Sequence, residues 1–331
     1  MKQSNACRYV FGPVPSRRLG RSLGVDLVPF KTCTYDCVYC QIGRTTNKTV
    51  ERREYVPVAK VLSDVRRKLT RCKPNYVTLS GSGEPTLHAR LGELIQGLKN
   101  MTRIPVAVLT NGSLLGDRDV QAALRLADLV IPSLDGGDEA AFQYVNRPHA
   151  AITFERMVKG LVDFRARYSG ALWLEVFLLG GVTASKIEAT KIATLARRLR
   201  PDKIQLNTVT RPPAEDFAFP VPAARMKQLC RVFGGKAEVI ADYQTPALDS
   251  GGEPDADDVL TLLGRRPCTV KDIADGLGLH ATQAAKLIEH LHDAGQVVEQ
   301  RVNGRAYFSS MKKRAGTPPP GPVGRTQKTR G

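Results

Sequence analysis

Long apolar runs are missing from this chain. None approaches the roughly 20 residues that cross a bilayer. The most apolar stretch, 172–182, holds Glu175 and two glycines and reads as a buried strand. The N-terminal Met1-Lys-Gln-Ser-Asn-Ala6 lacks the apolar core of a secretion signal. A cytoplasmic location with no membrane partner is therefore expected. Cysteines are sparse as well: seven in 331 residues, an odd number and too few for a disulfide framework in a chain this long. The length and an ordinary apolar content of 42% point to a sizeable core and two domains.

The cysteines that are present are unevenly spread. Cys33, Cys37 and Cys40 lie in one run, Lys31-Thr-Cys-Thr-Tyr-Asp-Cys-Val-Tyr-Cys40. A zinc site usually takes four ligands, often as two separated pairs, and no fourth Cys or His lies in this loop. Cys72 and His88 could join only if the fold brought them there. Three thiolates on one loop suit an Fe–S cube that keeps one iron without a protein ligand. Cys7, Cys72, Cys230 and Cys268 are scattered and read as small apolar residues. Cys7 could approach the loop in space.

Acidic residues are in deficit. The chain carries a net charge of +17 with a pI near 9.8. Residues 1–70 hold 14 Lys and Arg against 5 Asp and Glu, and the last 20 hold six positives and no negatives. Such a surface attracts polyanions, and nucleic acid is a candidate partner.

Residues 1–245 alternate strands and helices. Strands are expected at 22–28, 76–79, 106–109, 129–134, 172–179 and 203–207, and helices at 58–69, 91–101, 117–127, 154–168 and 184–200. Six strand–helix repeats imply a parallel α/β sheet with helical crossovers, short of the eight strands of a closed barrel. An open, partial (β/α)6 barrel of the TIM type fits, with a doubly wound open sheet as the alternative. Both put function at the C-terminal strand ends. A polar, turn-rich linker spans 246–257. Beyond it, 258–310 reads as three helices and a hairpin turning at Asn303-Gly304, which resembles a winged helix-turn-helix domain. The basic tail 311–331 has almost nothing apolar to bury and should be disordered.

Polar segments follow the expected strands. Ser80-Gly-Ser-Gly-Glu-Pro-Thr86 offers Gly81 and Gly83 for close backbone approach and the carboxylate of Glu84, or an ordinary turn with Pro85 at a first helical position. Asn111, after the third strand, and Ser133 and Asp135, after the fourth, are rim groups or helix caps. Glu175 inside an apolar strand needs a partner: a ligand in the barrel or a structural arginine. Asn207, Thr208 and Thr210-Arg-Pro-Pro213 face the same end. Arg17, Arg18 and Arg21 offer donors to an anion, as does Lys31. In the C-terminal module Arg301 and Arg305 are better placed for phosphate than the third helix.

Together these segments resemble the radical SAM superfamily over about residues 8–245. They are the cysteine loop with Tyr39, Ser80 to Leu87, Leu109-Thr-Asn-Gly112, Pro132-Ser-Leu-Asp135, Asn146-Arg-Pro148 and Phe154-Glu-Arg-Met157. The likeness is nearest to the wyosine-synthase-like group, related to 4-demethylwyosine synthase. It implies a [4Fe–4S] cluster on Cys33, Cys37 and Cys40 with S-adenosylmethionine on the open iron. The cofactor's amino group would lie near Gly81, Gly83 and Glu84, and its methionyl or ribose portion near Ser133 and Asp135, with Asn111 close by. The reaction implied is reductive cleavage to a 5'-deoxyadenosyl radical and hydrogen abstraction from a substrate, a tRNA base being one candidate. The reductant would be a protein such as flavodoxin or ferredoxin. The chain departs from the wyosine enzymes in having only Cys7 upstream of the loop, with no second cluster supported, and in its added C-terminal module. Two other readings are an activating enzyme for a glycyl radical on a partner protein and a non-enzymatic Fe–S redox sensor that binds DNA.

Overall fold

The computed structural model describes residues 9–240, 256–302 and 304–311. Cys7, most of the 246–257 linker, Asn303 and the tail from 312 onward lie outside the described residues. The chain forms β1 (Val10–Ser16), β2 (Gly20–Val25), the short β3 (Thr32–Cys33) and β4 (Asn47–Lys48), α1 (Val58–Leu69) and β5 (Tyr76–Leu79). Then come α2 (Leu91–Met101), β6 (Val106–Thr110), α3 (Arg118–Leu124), β7 (Leu129–Pro132), α4 (Glu139–Asn146), α5 (Phe154–Arg167), β8 (Ala171–Phe177), α6 (Lys186–Leu199) and β9 (Lys203–Asn207). They are followed by α7 (Ala223–Phe233), β10 (Ala237–Val239), α8 (Ala256–Leu263), α9 (Val270–Leu277), α10 (Ala281–Asp293), β11 (Val297–Val302) and β12 (Arg305–Ser310).

One sheet of eight strands runs β1-β2-β5-β6-β7-β8-β9-β10. Its six central strands, β2 to β9 in that order, are all parallel neighbours. This is the six-repeat partial barrel expected from the alternation. Two edge strands were not expected. β1 pairs antiparallel with β2, and β10 pairs parallel with β9. Pro13 and Pro15 argue against a strand at β1, but an edge strand needs no donor on its outer side. β2 stops at Val25, short of the expected residue 28, because Asp26 leaves the ladder to accept the Ser82 N–H at 2.8 Å.

Side chains alternate across the sheet. In β8, Leu172, Leu174 and Val176 are fully buried in the main core, against the crossover helices. Trp173, Glu175 and Phe177 face the other, concave side and stay partly exposed. A separate apolar cluster of Leu19, Ala107, Leu129 and Ile131 forms on that side. The helices start where short polar side chains cap them: Asp117 at α3, Thr153 at α5 and Ser185 at α6 each accept a backbone N–H of the first turn. Among the described residues no helix is long and apolar enough to cross a membrane.

Helices α8, α9 and α10 and the β11–β12 hairpin have a core of their own, built on Val259, Leu263, Ile273, Ala284, Ile288 and Leu291. Thr269 and Asp272 close a reciprocal capping box at the start of α9. The module's core also takes in Val14, with Phe11 packed against it, so it rests on the edge strand β1.

Candidate active site

The cysteine loop is held at both ends. β3 pairs with β4, and the Glu84 N–H binds Thr32 O at 3.1 Å. On the far side α4 delivers its last carbonyls to the loop: Val38 N donates to Val145 O and Asp36 N to Asn146 O, both at 3.0 Å. Cys40 N donates to Cys37 O at 3.1 Å, closing a turn between the last two cysteines. Cys33, Cys37 and Cys40 are free thiols, each half-buried.

Two amides aim at the sulfurs. Asn111 Nδ2 lies 3.6 Å from Cys33 Sγ and 2.7 Å from Thr34 Oγ1. Asn146 Nδ2 lies 3.5 Å from Cys37 Sγ and 2.8 Å from Asp135 Oδ2. Burial, then Glu84 and Cys40, push the Cys33 thiol up to about 12. Burial and then its two neighbours Cys33 and Cys40 raise Cys37 well above the usual thiol range. The three sulfurs thus share one electrostatic site, and a cation bound there would favour their thiolate forms.

Glu84 is 2% exposed and fully engaged. It accepts from Thr86 N at 3.0 Å, Thr86 Oγ1 at 2.6 Å, Thr110 Oγ1 at 2.6 Å and Asn111 N at 2.8 Å. Its carboxylate therefore ties the ends of β5 and β6 together and orients Asn111. Gly81 has φ +125, and a Cβ there would run into Asp26. A Cβ on Gly83 would collide with the Thr32 carbonyl. Gly83 lets the β5 loop lie flat on the cysteine loop, and Gly81 lets it close on Asp26.

Asp135 does the same at the end of β7. It accepts from Tyr39 OH at 2.5 Å, Asn146 Nδ2 and Phe177 N at 2.9 Å. Burial raises it to about 6 against those three hydrogen bonds. Tyr39 stacks on Phe177 with ring centroids 3.8 Å apart. Ser133 is half-buried at the strand end and bridges to Glu175. All nine of the site residues expected from the sequence therefore lie on the loop and strand ends of one rim.

Glu175 takes the structural arginine. Arg18 holds both its oxygens, at 3.0 and 2.7 Å, and Asn207 Nδ2 adds a third bond at 3.0 Å. Burial, the largest single effect, would raise the Glu175 carboxyl, but Arg18, Asn207 and Arg17 together outweigh it and hold it below the usual range. Arg17 and Arg18 do not precede the first strand; they form the β1–β2 turn and reach into the concave side. Arg17 donates to Asn207 Oδ1 at 3.2 Å and Thr210 Oγ1 at 3.1 Å. Lys31 is buried and donates to the Arg44 carbonyl inside the loop, where it braces the backbone. His88 is buried with Nε2 2.9 Å from Val56 O. Cys72 and Cys230 donate to carbonyls of their own surroundings, and Cys268 is buried in the C-terminal module.

Sequence reasoning gave no role to Thr34 or Asn146. Asn146 was visible only as part of a likeness, because helix α4 itself was not expected. The signal for it was Asp138, whose side chain caps α4 by accepting from Ala141 N at 2.9 Å.

The family described as the Radical SAM superfamily matches residues 27–191. A UPF0026 protein of Methanocaldococcus jannaschii is 33% identical over 315 residues, 92% of this chain and 97% of the relative. A protein named GTPase Obg of Brachyspira hyodysenteriae is 38% identical over 301 residues; the match covers 90% of this chain but 44% of the relative's length. A solved radical SAM methyltransferase from Sphaerobacter thermophilus shares the fold, with a TM-score of 0.52 at 16% identity over 70% of this chain and 69% of that one. Members of the superfamily bind a [4Fe–4S] cluster and S-adenosylmethionine. The donor set here fits the cluster. Among the described residues no three His, Cys, Asp or Glu side chains converge as ligands of a single ion, whereas a cube spreads its thiolates over different irons. By sequence, residues 27–191 are a radical SAM superfamily domain, and the chain that carries them belongs to the UPF0026 proteins.

Proposed function

We propose that this protein is an enzyme in which Cys33, Cys37 and Cys40 hold the cluster and the rim formed by the ends of β5, β6 and β7 holds S-adenosylmethionine. A cluster held by Cys33, Cys37 and Cys40 would supply the electron for reductive cleavage of S-adenosylmethionine, and the cleaved cofactor would supply the means of abstracting hydrogen from the substrate. The residues of this chain position and protect. Asn111 and Asn146 donate toward two of the cysteine sulfurs, and such outer partners orient ligands and tune a metal site. Gly81 and Gly83 expose backbone for the methionyl amino group, with Glu84 fixing the loop that presents it. Ser133 and Asp135 flank the methionyl or ribose portion. Tyr39, stacked on Phe177, helps exclude water between the loop and β8.

The observation that carries this reading is the single network from Glu84 through Asn111 to Cys33, which couples the expected cofactor segment to the cysteine loop. The +17 charge favours an RNA substrate such as a tRNA base. The electron donor would be a flavodoxin or ferredoxin in the cytoplasm. We read the C-terminal module as a winged helix, with 246–257 as linker and 258–310 as its extent.

The test is iron content with binding of S-adenosylmethionine. Anaerobic reconstitution of the full chain should give four irons and bind the cofactor. Alanine at Cys33, Cys37 or Cys40 should lose both. Full iron loading in any one of those variants contradicts the ligand assignment.

A further inference from the structure

The C-terminal module closes one side of a large cleft. The cavity measures about 1230 Å³ and runs from Ser80 and Gly81, at the candidate cofactor rim, to α9 and the β12 strand of the module. Single-ligand pockets measure roughly 300–1,000 Å³, so this one has room for S-adenosylmethionine and a second molecule of nucleotide size. Its two walls are stitched together. Tyr307 OH donates to Thr210 O at 2.8 Å, and Arg211 pairs with Asp272 at 3.1 Å.

The cations lining the cleft outnumber its carboxylates. Four of them are matched: Arg18 by Glu175, Arg265 by Asp26, Arg211 by Asp272 and Lys271 by Asp275. Arg266 and Arg305 also line it, and among the described residues neither guanidinium has a hydrogen-bonded or ion-pair partner. Arg211 is 11% exposed in its side chain, and its buried Nε has no partner either. Two lining guanidiniums and one buried N–H are thus without a partner among the described residues. Burial, then Arg211 and Arg18, with Arg266 also contributing, depress Arg17, which lines the cleft as well, to about 10. Crowding arginines at a half-buried site costs stability unless an anion joins them. Guanidinium forks match phosphate bidentately, and a phosphate dianion offers both the acceptors and the negative charge that these donors lack.

We propose that the cleft between barrel and module holds a phosphate group of the substrate, with Arg266, Arg305 and Arg211 as its ligands. The assignment rests on the reading of the rim as a cofactor site, and it makes the module a wall of the active site. The phosphate belongs to a free nucleotide or to a nucleotide within an RNA, and the experiment separates the two.

Binding of three probes to the full chain is measured at fixed ionic strength: inorganic pyrophosphate, a set of 5'-mononucleotides, and bulk tRNA. Arg266→Ala and the surface change Arg305→Gln should each weaken binding about tenfold or more, as expected for loss of a charge-assisted contact. Arg266→Lys should recover part of it. Melting temperatures without probe check that each variant is folded. Mononucleotide binding identifies a free nucleotide; binding of tRNA alone identifies a nucleotide in RNA. Absence of binding by all three probes, or binding indifferent to both arginine changes, overturns the proposal. Cleavage of S-adenosylmethionine is scored separately. Its loss with arginine-dependent binding intact sinks the enzyme reading, while intact cleavage without phosphate binding sinks only the cleft assignment.

Discussion

Asn111 and Asn146 are the two side-chain amides that reach sulfurs of the cysteine loop, and their roles can be measured directly. Replacing either by alanine removes a donor to a cysteine sulfur without removing a ligand. Outer-sphere losses of this kind typically cost about 10–100-fold in metal affinity. Iron retention under chelator challenge should therefore fall about tenfold in each variant, while the melting temperature of the apo-protein changes little for Asn111→Ala. Glu175 belongs to a different network. Against burial, its carboxyl is held below the usual range by Arg18 together with Asn207 and Arg17. A carboxylate depressed in the folded state contributes stability at neutral pH that is lost as pH falls through its folded value. Glu175→Gln should flatten that acid limb and, by leaving Arg18 buried without a counter-charge, cost roughly 3 kcal/mol. Urea unfolding across pH 3–7 checks both. A steep acid limb retained in the variant would assign it to other carboxylates.

At the scale of elements, the β5 loop and the cysteine loop fit because Gly83 has no side chain. Gly83→Ala would drive a Cβ into the Thr32 carbonyl, so the variant should lose cluster occupancy and several degrees of melting temperature. Thr269→Ala removes one half of the α9 capping box and should cost about 1 kcal/mol, read from the unfolding of the module. The six parallel strands were legible because apolar runs alternate with helical spacing and end in Gly, Ser, Asn and Asp. β1 was not legible, because Pro13 and Pro15 disguise an edge strand whose donors the sheet never uses. Helix α4, Glu139 to Asn146, was not legible because the face it buries holds only two large apolar residues, Phe142 and Val145, with the polar Asn146 beside them. The same gap hid Asn146. The three cysteines and the Gly81–Glu84 segment stood out by spacing, whereas the commitment of both Glu84 oxygens to Thr86, Thr110 and Asn111 depends on register between β5 and β6, which spacing alone does not contain.

At the scale of the whole molecule, the barrel and the C-terminal module share a surface through β1. Val14 is part of the module's core, and Phe11 packs on it. Val14→Asp should therefore loosen the module, seen as faster limited proteolysis after residue 240, with the barrel core left intact. Proteolysis unchanged from the native chain would mean that the shared packing does not hold the two together. The account as a whole stands on radical chemistry at the cysteine loop. The most direct measurement is 5'-deoxyadenosine release from S-adenosylmethionine by the anaerobically reconstituted, reduced protein, with and without bulk tRNA, beside the Cys37→Ala variant. The account predicts release by the native chain and none by the variant. A fully loaded native cluster that releases no 5'-deoxyadenosine under either condition would contradict it.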